Sequence, residues 1–171
     1  MSPEQAASAA ALARLRGEIG DDRAAMRRRA ADLDDADARL LRAPGDAAAL
    51  ALAAWAIHGW YTALETLLER IARQLDCELP AGDRWHRELL AQCVVDVPGL
   101  RPAVIPRETR ADLEALLAFR HFVRHAYGVE LHADKLAVEG KRLRAVAPSV
   151  TQALDAFDTF LTGAMAATTT G

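Results

Sequence analysis

A chain of 171 residues that is 51% hydrophobic and 26% charged is long enough for one domain with a real core. Alanine and leucine dominate, and runs of Val, Ile and Thr are nearly absent, so the composition argues against a sheet and for an all-α protein. A formal net charge of −3 leaves no global basic footprint, so any contact with nucleic acid has to be local.

From about Glu4 to Arg42 the sequence predicts one long helix. Leu12, Ile19, Met26, Leu33 and Leu40 recur every seven residues, with Leu15 beside them. That is a narrow apolar stripe of the coiled-coil kind. Gly17 and Gly20 weaken the helix and mark a candidate bend. Arg27-Arg28-Arg29 is followed at once by Asp32, Asp34, Asp35 and Asp37, which reads as a self-compensating solvated surface.

Pro44-Gly45-Asp46 is a stop-and-start signal, with Asp46 the cap of a second helix reaching about Leu75. That helix is broadly apolar, as a central bundle helix should be. Trp55, Trp60 and Tyr61 are expected to fill the core, and His58 to be a satisfied core or interface residue. No apolar run is expected to span a membrane. Leu79-Pro80-Ala81-Gly82 is a turn, after which Asp83 is the expected cap of a short third helix to about Val95. Cys77 and Cys93 lack metal-type spacing, and without a signal-peptide pattern they read as reduced thiols in a cytoplasmic chain.

Pro98, Pro102 and Pro106 stiffen the next loop. A fourth helix, with Thr109 its expected cap, ends near Gly128. A fifth, from about Ala133 to Thr162, keeps its seven-residue register through Pro148 and so reads as one kinked helix. The expected architecture is an antiparallel up-down bundle of four or five helices. Residues 1–43 form the long N-terminal helix, part of the bundle or appended to it. Residues 44–163 form the main helical domain, and 164–171 a frayed tail.

The fourth helix carries the chemistry. Its apolar stripe is Leu113, Leu116, Leu117, Val123 and Tyr127, and Arg120 falls in the middle of it. A guanidinium there is costly unless it is paired or faces a cleft. Arg120, His125 and Tyr127 supply a phosphate-binding cation, a proton carrier near neutral pH and a modifiable hydroxyl. His125 lies about 140° around an ideal helix from Arg120. One cleft can hold both only if the last turn unwinds or if two copies meet across a symmetry axis, which favours a dimer. With only two tyrosines present, the full Arg-x4-His-x-Tyr pattern arises by chance in about one chain per hundred of this composition.

This pattern, with Trp60-Tyr61-Thr62-Ala63-Leu64-Glu65, Trp85-His86-Arg87-Glu88-Leu89-Leu90 and Gly99-Leu100-Arg101-Pro102 preceding it in order, resembles the HepT-like ribonuclease toxins of the HEPN superfamily. The resemblance spans roughly Ala49 to Leu161. It implies a metal-independent RNA endonuclease without a cofactor, acting as a homodimer, with Arg120 and His125 catalytic. Arg124 and His121 would support phosphate binding. It also implies a partner, a nucleotidyltransferase antitoxin of the MNT type, that transfers AMP to Tyr127. Two other readings compete. One is a non-catalytic HEPN-like module that binds a nucleotide or a partner. The other is a helical adaptor working through the stripe from Leu12 to Leu40.

Overall fold

The computed structural model describes residues 2–125 and 131–170, with the side chains at 125, 169 and 170 left aside. Among the described residues the protein is an all-α bundle: α1 is Pro3–Arg42, α2 is Ala47–Ile71, α3 is Trp85–Cys93, α4 is Arg110–His125 and α5 is Ala133–Thr170.

The N-terminus of α1 is secured by a capping box, in which Ser2 and Gln5 satisfy each other's backbone N–H groups. The helix runs unbroken through Gly17 and Gly20. Helix propensity costs at two glycines are small beside the burial of a whole apolar stripe. Leu15, Ile19, Met26, Leu33 and Ala36 are buried, and Leu12 packs at the margin. The stripe is therefore core, which removes the adaptor reading of this surface.

Asp46 caps α2 as expected, accepting from the N–H groups of Ala48 and Ala49. The turn before it folds α2 back antiparallel to α1. Arg70, near the end of α2, pairs with Glu18 and Asp22 before the middle of α1, while Gly59 in mid-α2 lies against Arg29 beyond it. Close approach is possible at Gly59, where a Cβ would lie 2.8 Å from Cδ of Arg29. Helix α5 is antiparallel to α1 by the same evidence. Asp158 meets Arg16, and Arg144 meets Asp34 and Asp37 at the other end. Such exposed pairs are worth little individually and mainly record the register.

The alanine-rich α2 is the central helix, with Ala53, Ile57, Trp60, Tyr61, Leu64 and Leu68 all buried. By length and hydropathy, residues Ala47–Asp76 do reach what a membrane span requires, contrary to the reading of the sequence. Here that apolar surface is the middle of the bundle, packed by the other four helices. The helix finishes in a π-helical turn, Ala72–Asp76, closed by Cys77 in the left-handed region at φ 55°. Both cysteines are free, and burial pushes the Cys93 thiol up to about 12.

Three local expectations fail. Arg84, not Asp83, precedes α3, and no side chain caps it. Thr109 lies in a 3₁₀ turn leading into α4, and its hydroxyl donates to the Pro106 carbonyl. Trp55 is 56% exposed, because the buried face of α2 passes through its neighbours Ala54, Ala56 and Ile57 instead. Helix α5 passes through Pro148 without a break and continues beyond Thr162 to Thr170.

Candidate functional site: a buried arginine between two imidazole groups

Helices α2 and α4 each place one charged residue in the seam between them. The side chain of Arg120 is 12% exposed, and Glu65 is buried at 4%. Arg120 Nη2 lies 2.9 Å from Glu65 Oε2, and its Nε donates to Thr62 Oγ1 at 3.3 Å. Thr62 in turn donates to the His58 carbonyl at 2.9 Å. The pairing that the Arg120 position demanded is thus met by a carboxylate one helix away. Its Nη1 is buried and has no hydrogen-bond partner among the described residues. An orphaned guanidinium donor is costly in a packed interior and marks a place where an acceptor would be gained.

Glu65 is shared. Its other oxygen, Oε1, forms a 2.5 Å hydrogen bond with Nδ1 of His86 on α3. Burial lifts the Glu65 carboxyl to about 7 even though Arg120 and Arg124 act the other way. Burial, and then the Arg120 charge, hold His86 below its usual range. Both shifts disfavour the doubly ionised form of the pair beside Arg120. The His121 ring meets His86 edge-on, with centroids 4.9 Å apart. Both imidazoles line an open cleft of about 230 Å³ between α3 and α4, whose rim carries Arg84 and Arg87.

On the other side of Arg120 lies His58. Its Nδ1 is buried and also unpartnered among the described residues, so this histidine is not the satisfied core residue expected. Burial lowers its pKa first, and the charges of Arg120 and Arg124 lower it further. Arg124 itself is exposed one turn beyond Arg120.

Of the residues singled out in the sequence, Arg120 and His121 are brought into one polar centre, with Arg124 at its edge. His125 is the last residue of α4, and the helix is intact up to it. The alternative in which the final turn unwinds falls on residues 126–130, outside the described residues, as does Tyr127. Arg101, in the Gly99-Leu100-Arg101-Pro102 motif, is a structural residue. Its guanidinium is fully buried against Asp76 and donates to the carbonyls of Val95, Pro102 and Gln92. Arg110 is likewise paired, with Glu114.

Sequence reasoning missed Glu65, Thr62 and His86. Glu65 had a readable signal: a carboxylate between Tyr61 and Leu68 at helical spacing, inside an apolar stripe as Arg120 is. Two opposite charges so placed on two helices of one bundle are a candidate buried pair. His86 had no comparable signal.

The fold and this centre define a class: a helical bundle with a buried, charge-paired arginine flanked by histidines. The chain belongs to the HepT-like protein family, whose model matches residues 51–161, from α2 to most of α5. Helix α1 lies outside the matched stretch. No curated protein and no solved structure matches the chain.

Proposed function

We propose that this protein is a metal-independent RNA endonuclease of the HepT-like type, working in the cytoplasm as a homodimer. The observation that carries the reading is Arg120: a guanidinium fixed by Glu65 and Thr62, with one buried donor left open. A preorganised donor of this kind binds a phosphate oxygen and gains strength as negative charge develops on it.

In the reaction, the ribose 2′-hydroxyl attacks the adjacent phosphorus. The new 2′-O–P bond forms as the P–5′-O bond breaks, leaving a 2′,3′-cyclic phosphate and a free 5′-hydroxyl. His125 takes the 2′-hydroxyl proton or delivers one to the departing 5′-oxygen, a role worth roughly 10²–10⁴-fold. Arg120 neutralises the charge on the pentacoordinate phosphorus. Arg124 and His121 support neighbouring phosphates. Because α4 is continuous through His125, a dimer supplies the natural route for both side chains to reach one phosphate.

Membership of the HepT-like family supports a regulatory reading. A nucleotidyltransferase antitoxin of the MNT type would transfer AMP to Tyr127, adding a bulky anion that excludes RNA by charge and volume. A mass increase on Tyr127 after co-expression with such an enzyme supports this arm, and modification confined to another residue removes it.

The test of the nuclease uses purified protein with chelator present, offered RNA and DNA of matched sequence. RNA cleavage that is lost in Arg120→Ala and in His125→Ala, with DNA untouched, is the expected result. Equal cutting of both polymers, or a need for a divalent ion, overturns it. One observation favours the non-catalytic alternative: Glu65 already neutralises Arg120 in the isolated chain. That reading predicts RNA or nucleotide binding with no cleavage and no effect of His125→Ala.

A further inference from the structure

Trp55 is a large aromatic side chain on the central helix that does not join the core. Its ring lies nearly parallel to His58, at 16°, with centroids 5.9 Å apart. The Arg29 guanidinium carbon sits 5.8 Å from the indole centroid. Trp55, His58, Thr62 and Glu65 follow at spacings of three, seven and ten residues, which places them along one stripe of α2. The last two of these hold Arg120. The exposed indole is therefore about 10 Å along the helix axis from the threonine that positions the proposed phosphate-binding group.

We propose that Trp55, backed by His58, is a stacking platform for a base of single-stranded RNA adjacent to the phosphate held at Arg120. The inference rests on the RNA reading of Arg120 and adds the contact that orients the strand. Every base offers a π-face, so an indole beside cations takes a nucleotide without needing a particular sequence. The surroundings select this occupant over an apolar partner helix or a second copy. Arg29 is already paired with Asp32 at 2.8 Å, but an apolar partner lying over Trp55 and His58 would cover the exposed Arg124, whose charge reaches His58, without satisfying it. A nucleotide brings acceptors and a negative charge together with its ring.

The test measures binding apart from cleavage. A short 2′-O-methyl RNA, which lacks the nucleophile, is titrated against full-length protein by fluorescence anisotropy. Trp55→Ala is expected to weaken binding by about ten- to a hundredfold, and Trp55→Phe by clearly less. Sedimentation should give all three proteins the same assembly state. Undiminished binding by Trp55→Ala overturns the proposal. So does a change of assembly state, which would assign this face to a second copy. Cleavage of unmodified RNA is scored separately. A wild type that binds through Trp55 and cuts nothing keeps the platform and removes the nuclease. A wild type that cuts RNA while Trp55→Ala binds equally well keeps the nuclease and removes the platform.

Discussion

The Arg120 guanidinium and the Glu65 carboxylate meet at 2.9 Å across the seam of α4 and α2, each within its own helix's apolar stripe. Removing either partner alone would strand a buried polar group. The pair fixes how α4 lies on α2, and its attachment to His86 extends that control to α3.

The first prediction concerns Glu65. Burial lifts its carboxyl from the ordinary 4.5 to about 7, so the folded chain binds this proton more tightly than the unfolded chain does. The resulting stabilisation is complete below about 4.5 and is lost as pH rises through about 7, amounting to at most about 3 kcal/mol. His86 acts in the opposite sense. Its pKa is depressed, so its contribution fades as pH falls below its usual 6.5. Glu65→Gln removes the titrating carboxyl while keeping a side chain of the same size beside Arg120 and His86. Denaturant unfolding at about pH 5 and about pH 8 should show the wild type losing more stability over that interval than the variant. Equal losses would contradict the buried-proton account.

Arg101 should matter for stability and not through any charge it offers to RNA. It is fully buried, makes two contacts of 2.6 Å with Asp76 and ties two carbonyls of the α3–α4 connection, Val95 and Pro102, to that of Gln92 in α3. Arg101→Ala is expected to cost about 3–5 kcal/mol of unfolding free energy. The exposed Arg107→Ala should change it by no more than about 0.5 kcal/mol. Similar small losses from both would show that Arg101 does not organise the loop.

The first helix is expected to be an integral part of the bundle. Leu33 is buried between helices, whereas Leu41 is 86% exposed near the helix end. Leu33→Ala should cost about 2–5 kcal/mol in denaturant unfolding. Leu41→Ala should stay within about 0.5 kcal/mol. If Leu33→Ala behaves like Leu41→Ala, α1 is an appendage.

What could be read from the sequence follows from which forces are local. The seven-residue recurrence from Leu12 to Leu33 and the Asp46 cap each depend on one helix or turn, and each stands in the structure. The position of Arg120 inside an apolar stripe was equally legible, because periodicity alone exposes it. Its solution was not, since Glu65 and His86 come from two other helices and only packing brings them together. Trp55 was misplaced for a related reason. Within an apolar helix nearly every position is hydrophobic, so hydrophobicity no longer tells which face is buried. The neighbouring helices decided that, leaving the indole outside beside Arg29.

The most direct measurement is subunit mixing. The account holds that Arg120 of one chain and His125 of the other act on a single phosphate, because a five-residue spacing on an ideal helix turns the two positions about 140° apart within one chain. Arg120→Ala and His125→Ala proteins are each expected to leave RNA uncut. Once mixed and allowed to exchange subunits, heterodimers carry one site with both native side chains, and cleavage should return to a sizeable fraction of wild type. Heterodimers that form and remain inactive would contradict the shared site.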